Sequence, residues 1–267
     1  MKYSIITINY NNKDGLRKTI ESVINQTCND FEYIIIDGGS TDGSVDVIKE
    51  YADKIDYWVS EPDKGIYNAM NKGVKVAKGE YLNFMNSGDC FYNDNILCDV
   101  EHNLLYDIIV GKTISDTNIL IGYNKENIGL IELFSGTLPH QASFVKRVIF
   151  NKRIFDEKYN IVSDWKFYIE TLVIDNCSFY NIENIICLFD MNGISLTNVE
   201  LRNNERKAVL NELFPERILN DYFYFTLTKS SLQELAPLFN KTYRFEKMIY
   251  SVVKLLINIR YLGRKKC

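Results

Sequence analysis

A chain of 267 residues can hold one large domain or two small ones, and 46% hydrophobic with 25% charged residues is ordinary for a soluble globular protein. The net charge of −4 hides an asymmetry, since residues 241–267 carry eight Lys or Arg against one acid and are +7, which leaves −11 on the rest. Six cysteines without CxxC spacing argue against a zinc site and for a reducing compartment; the lack of a signal-peptide pattern and of any run of ~20 apolar residues argues against secretion or a membrane span.

In chain order, Tyr3 to Ile8 is a β-branched run fit for a central parallel strand, and it stops at the polar loop Asn9-Tyr10-Asn11-Asn12. Leu16, Ile20, Val23 and Ile24 then recur at helical spacing. Phe31 to Ile36 is a second buried strand running into DGGSTDGS, where Asp42, Gly43 and Ser44 suit the start of a helix with Val45, Ile48 and Tyr51 facing inward. Asp56 to Ser60 reads as a third strand, followed by EPDKG and a helix with Ala69, Met70, Gly73, Val74 and Ala77 on one face. Tyr81 to Met85 is a fourth strand, ending in the turn Asn86-Ser87-Gly88-Asp89. Residues 1–90 thus read as βαβαβαβ, a parallel sheet with right-handed crossovers, and ligands of such sheets bind at the carboxyl ends of the strands. A dinucleotide-binding fold fits poorly, because its first loop needs GxGxxG and here reads NYNNKDG.

The later chain adds three features. His140, in LPHQASF, follows the loop Gly136-Thr137-Leu138-Pro139 and precedes a strand. Ser163-Asp164-Trp165 opens a helix whose apolar face is Trp165, Tyr168, Ile169 and Leu172. Helical signals then run through 203–213 and 245–259; the second stretch, with its Lys and Arg, suits either an anionic membrane surface or a helix docked for packing or dimerisation.

Several stretches together resemble a family 2 glycosyltransferase of the GT-A fold, from the bacterial branch that builds surface polysaccharides. They are SIITINYN, LRKTIESVINQT, YIIIDGGSTDGS, EPDKGIYNAMNKGVKVAKGEYLNFMNSGD, LPHQASFVKR and SDWKFYIETL, and they cover roughly residues 1–195. The resemblance implies an α/β GT-A catalytic domain over 1–195, a mostly parallel central sheet flanked by helices. Residues 1–90 form its nucleotide-binding half and 91–195 its acceptor half, and 196–267 are a C-terminal helical extension. It implies inverting transfer of a sugar from a nucleotide-diphosphate donor, a UDP-sugar first of all, to a glycan or lipid-linked acceptor. The expected location is cytoplasmic, at the inner face of the membrane if the basic segment binds there. Nothing calls for nucleic acid, and a homo-oligomer is left open.

The same resemblance distributes roles. Asp37 is expected to hydrogen-bond the nucleobase, with the backbone around Thr7 and Asn9 lining the same pocket; the alternative for Asp37 is a turn aspartate. Lys64 is expected near the phosphates, or else as a solvated surface lysine. Asn68 serves the donor or, equally, packing and capping. Many relatives carry Asp-x-Asp-Asp where this chain has Asn86-Ser87-Gly88-Asp89, so only Asp89 remains as a carboxylate ligand for Mn²⁺ or Mg²⁺, arriving together with the nucleotide. Asp164 matches the position of the catalytic base, with a helix N-cap as its alternative. His140 is a donor to phosphate or acceptor, an extra metal ligand, or structural. Loss of acids from the metal turn also leaves room for a weak or inactive nucleotide-sugar-binding module.

Overall fold

The computed structural model describes residues 1–115, 117, 120–122, 128–190 and 198–224. The basic segment expected at 245–259 lies outside them. The chain divides into two compact units, Met1–Val209 and Leu210–Cys267. In the second unit, residues 210–213 and 216–224 are helical.

The first unit opens as its alternating pattern predicts: β1 (Tyr3–Asn9), α1 (Lys13–Ile24), β2 (Phe31–Asp37), α2 (Ser44–Glu50), β3 (Tyr57–Ser60), α3 (Ile66–Val76) and β4 (Tyr81–Phe84). These four strands are parallel in the order β3-β2-β1-β4. Their register aligns Asn9 with Asp37 and Asp37 with Ser60, so three polar side chains meet at one strand-end edge. Beyond β4 the sheet becomes mixed. β5 (Cys90–Phe91), α4 (Ile96–Glu101), β6 (Ile108–Ser115), β7 (Leu120–Ile121) and α5 (Leu130–Ser135) lead to β8 (Ser143–Lys146), which runs antiparallel between β4 and β6. α6 (Ser163–Tyr168) continues through a π-helical turn, Ile169–Ile174, into β9 (Phe179–Phe189), parallel to β6 and antiparallel to β5. α7 (Val199–Leu213) follows. Among the described residues no helix is long and apolar enough to cross a membrane.

Alternation of side chains along each strand builds a core on both faces of the sheet. Tyr3, Ile5, Tyr33 and Ile35 pack with Leu16, Ile20, Val23, Val47 and Ile48 from α1 and α2. On the α3 side, Ile6 sits so close to Gly73 that an added Cβ would lie 2.5 Å from its Cγ2. Phe84, Phe150, Phe155 and Phe167 make a contiguous aromatic cluster, with ring centroids 4.9–6.0 Å apart. Sheet and second half are thereby joined beneath the strand that ends in the Asn86–Asp89 turn.

The entry to β4 is set by a buried polar clasp. Glu32 accepts from the Ser4 hydroxyl at 2.5 Å and the Gly79 N–H at 3.1 Å, and Gly79 also donates to Ser4 Oγ at 2.8 Å. A Cβ at Gly79 would come within 2.4 Å of the Tyr3 carbonyl carbon. Gly79→Ala therefore pushes β4 away from β1, and overpacking of this kind costs about 1–3 kcal/mol. The expected outcome is a lower urea midpoint at unchanged slope; an unaltered midpoint would show that β1 and β4 can separate freely.

Candidate active site

The carboxyl ends of β1, β2 and β3 enclose Asp37. Its carboxylate accepts from Asn9 Nδ2 at 2.8 Å, Ser40 Oγ at 2.6 Å, Ser60 Oγ at 2.6 Å and the N–H groups of Gly39 and Ser40 at 3.2 and 2.9 Å. Burial on its own would raise this carboxyl, but the bonds from Ser40, Ser60 and Asn9 outweigh it and hold Asp37 below the usual carboxylate range. A Cβ on Gly38 would lie 2.5 Å from Asp63 Oδ2 and 3.2 Å from the Tyr10 ring, so both side chains close over the bare backbone here. Tyr10 is 67% exposed, so an aromatic face stands open to solvent beside the Asp37 loop.

The turn after β4 continues alongside β1, with the Ser87 N–H bonded to the Ile8 carbonyl at 3.1 Å. It is strapped from α1: Thr19 Oγ1 accepts from the Gly88 N–H and bonds the Asp89 carbonyl, and Asn12 Nδ2 donates to the Ser87 carbonyl. Gly88 has φ +107, a backbone state that suits glycine. A Cβ there would lie 2.9 Å from Asp190 Oδ2, at the end of β9. The Asp190 N–H donates to Asp89 Oδ1 at 3.0 Å. Burial raises the Asp89 carboxyl to about 6, and the Asp190 carboxylate adds to that push against the opposing pull of the Asp190 N–H and His140. Asn86 Oδ1 is buried and has no hydrogen-bond partner among the described residues.

His140 links this turn to α6. Asn86 Nδ2 lies 3.0 Å from its Nε2, and its Nδ1 faces Asp164 Oδ2 at 3.4 Å. Burial disfavours the imidazolium, yet the carboxylates of Asp164 and Asp89 favour it more, and the net displacement is upward. With the Asn86 amide in this orientation its N–H donates to Nε2, which puts the neutral ring's proton on Nδ1, toward Asp164. Asp164 is the second residue of α6 and does not cap it; the N-cap is Val162, with no side-chain cap bond. Its Oδ1 instead accepts from the Tyr67 hydroxyl at 2.8 Å. Behind it, Trp165 is pinned by its indole N–H to the Leu133 carbonyl and by the Arg206 guanidinium 4.8 Å over the ring.

Residues 4–102 match the family model described as Glycosyl transferase family 2. An uncharacterized glycosyltransferase of Mycobacterium tuberculosis (strain ATCC 25618 / H37Rv) is 30% identical over 207 residues, covering 72% of this chain and 76% of its own length. The chain belongs to glycosyltransferase family 2. A PGL/p-HBAD biosynthesis glycosyltransferase of Mycobacterium bovis (strain BCG / Pasteur 1173P2) is 32% identical over 179 residues, 62% of this chain and 68% of that one. The fold is similar to that of two GT-A structures. One is Staphylococcus aureus TarS 1-349 in complex with UDP-GlcNAc (TM-score 0.61, 18% identity, 74% of this chain and 61% of that one). The other is the mannosyltransferase PcManGT from Pyrobaculum calidifontis in complex with GDP-Man and Mn²⁺ (TM-score 0.64, 14% identity, 96% and 80%). The chain thus spans about three fifths of the TarS 1-349 structure.

Within this family 2 chain the residues singled out in the sequence separate into two groups. Asn86, Asp89, His140 and Asp164 form one connected cluster, and Asn9 joins Asp37 in the neighbouring one. The backbone of Thr7 lies in β1 just before Asn9, and its side chain is buried, bonded to the Met85 carbonyl at 2.7 Å and to the Tyr33 hydroxyl at 3.0 Å. Asn68 is engaged structurally, accepting from the Lys64 N–H and donating to Glu157 at 2.8 Å. Lys64 is exposed on the loop before α3. Residues absent from the sequence-based site are Tyr10, Ser40, Ser60, Tyr67 and Asp190. Tyr10, Ser40 and Tyr67 lie in the matched stretches and Ser60 at a strand end, whereas Asp190 carried no signal.

A pH dependence follows from the Asp37 network. Its carboxyl is depressed in the folded chain, so the stability it contributes is present above the unfolded value near ~3.9 and is lost as pH falls. Between about pH 5 and pH 3 the native protein should therefore lose more stability than Asp37→Asn, which has no proton to take up. Urea midpoints for both proteins across that range check it, and parallel curves would mean that Asp37 is not ionised in its network.

Proposed function

We propose that this chain is an inverting glycosyltransferase that moves a sugar from a UDP-sugar to a hydroxyl of a glycan or lipid-linked acceptor in surface polysaccharide synthesis. One observation carries the reading: two carboxylates, Asp89 and Asp164, flank His140 at the carboxyl edge of a parallel sheet, next to the Asp37 pocket. Inverting transfer needs that division of labour. The acceptor oxygen forms its bond to the anomeric carbon while the bond to the diphosphate breaks, its proton passes to a carboxylate, and negative charge leaves with the diphosphate. Asp164 would take the proton through Oδ2, since Oδ1 is engaged by Tyr67. UDP as the nucleotide is supported by TarS, whose structure holds UDP-GlcNAc. Tyr10 offers a ring for the base to stack on. Asp37 already has five donors, so a base N–H would replace a serine hydroxyl there.

The residues of the Asn86–Asp89 turn fit a hard divalent cation. Asp89 accepts from the Asp190 N–H and feels the Asp190 carboxylate, and the same turn carries Asn86 Oδ1, a buried oxygen without a hydrogen-bond partner among the described residues. Among the described residues no three acidic, His or Cys groups form a ligand cluster, so the donor's phosphate oxygens would have to complete the shell. PcManGT was solved with GDP-Man and Mn²⁺ together. Such an ion, when bound, supplies Lewis-acid stabilisation of the departing diphosphate. The chain's own part is to bury Asp89, orient it through Thr19 and Gly88, and keep it apart from Asp164 with His140 between.

Two measurements test this. In Asp164→Asn, UDP release from a turned-over UDP-sugar should fall by about 10²- to 10⁴-fold while UDP affinity stays within a small factor of native; full activity would remove Asp164 from the role of base. UDP affinity of the native chain should rise on adding Mn²⁺ and drop on chelation, and Asp89→Ala should abolish the difference. Equal affinity of the native chain with and without metal would count against a cation at the turn. Metal-dependent UDP binding without turnover would instead support a binding module.

A further inference from the structure

Tyr67 stands in the first turn of α3, the helix that follows the EPDKG loop, yet its hydroxyl belongs to the other half of the site. The ring is buried, 6% exposed, and packs against Phe155 with centroids 5.7 Å apart. The oxygen lies 2.8 Å from Asp164 Oδ1 and 2.6 Å from the Ile161 carbonyl oxygen. A phenol has one proton to donate, and of two acceptors at such distances an ionised carboxylate is the stronger. That bond ties down Oδ1. His140 Nδ1 faces Oδ2 at 3.4 Å, and a carboxylate oxygen that accepts one long contact still has a second lone pair for an incoming proton.

The segment that carries Asp164 is fixed from the opposite side as well. Glu205, buried on α7, accepts from the N–H groups of Asn160 and Ile161 at 2.8 and 2.9 Å. The chain just before α6 is thus held with its amides on Glu205 and one carbonyl against Tyr67, and the Asp164 side chain is the remaining movable part.

We propose that Tyr67 is a positioning residue for Asp164: its hydroxyl fixes the carboxylate rotamer and ties that carboxylate to α3. The proposal rests on Asp164 acting as the base. Tyr67 touches neither sugar nor phosphate in this scheme. Its effect is on where Oδ2 points, and a misplacement of about 1 Å in a reacting group can cost on the order of 10²-fold in rate.

The test measures UDP release, with water as acceptor, from whichever of UDP-GlcNAc, UDP-glucose, UDP-GalNAc and UDP-galactose the native chain turns over fastest. Tyr67→Phe keeps the ring against Phe155, and its kcat should fall roughly 10- to 100-fold with the donor KM within about twofold of native. Placed on Asp164→Asn, the same change should cost nothing further, because there is no carboxylate left to position. Asp164→Glu keeps a base but moves it one carbon away from the Tyr67 oxygen, and should lose kcat to a similar extent; this variant decides the matter if Tyr67→Phe does not fold. The inference is overturned by native kcat in Tyr67→Phe or in Asp164→Glu. It is also overturned by a loss in Tyr67→Phe that persists in full on Asp164→Asn, or by a rise in KM matching the fall in kcat. An Asp164→Asn protein as fast as native sinks the base reading itself, and absence of UDP release by the native chain sinks the transferase reading and this inference with it.

Discussion

The register of the parallel strands is the constraint from which the rest of the site follows. Once Asn9, Asp37 and Ser60 are paired across β1, β2 and β3, their side chains emerge at the same edge. A one-residue slip of any of these strands would send its polar end group to the other face and bring Ile8, Ile36 or Val59 to the edge in its place. Register in turn rests on burial. Every residue of β1 is buried, and so is every residue of β2 after Phe31. The Glu32–Ser4–Gly79 clasp fixes the fourth strand in the same frame at the far end of the sheet. Polar ends at one edge and a polar clasp at the other bracket an apolar interior.

The first half of the fold was legible because its periodicities are clean: β-branched runs of six or seven residues separated by helices with one apolar face. Four strands and three helices of residues 1–90 appear in the expected order, with β3 and β4 trimmed by one residue each. The mixed half was less legible, since β5 and β7 have two residues apiece and β8 four, too short for alternation to declare itself. For the site, the sequence marks residues that sit at strand ends and in a family motif. It does not mark residues that arrive by packing. Tyr67, though in a matched stretch, looks like one more apolar residue on α3, and Asp190 like the end of an unremarkable strand; each reaches its partner across about 100 positions of chain. Thr7, expected at the site through its backbone, spends its hydroxyl inside the core.

Electrostatics explain why these distant arrivals matter. Asp89 is buried in surroundings that push its carboxyl up to about 6, whereas Asp37, as thoroughly enclosed, is held low. The difference is the number of donors: five reach Asp37, and the Asp190 N–H is the one recorded for Asp89. Donors stabilise the charge of a buried carboxylate, and one with few of them favours whatever else compensates that charge.

Seen this way, Asp190 bears on the departure of the Asn86–Asp89 turn from a carboxylate-rich metal motif. The turn itself carries one acid, but the end of β9 delivers a second, whose Oδ2 would lie 2.9 Å from a Cβ placed on Gly88. On the proposed reading, the anionic ligand lost from the turn is replaced from the other end of the sheet. The replacement has a consequence for order of assembly. On that same proposed reading, like charges drawn together repel, and a cation arriving with its phosphates would relieve the repulsion. A turn with several adjacent acids could hold an ion by itself. A site made from two separated pieces of chain would instead take up ion and nucleotide as a single event.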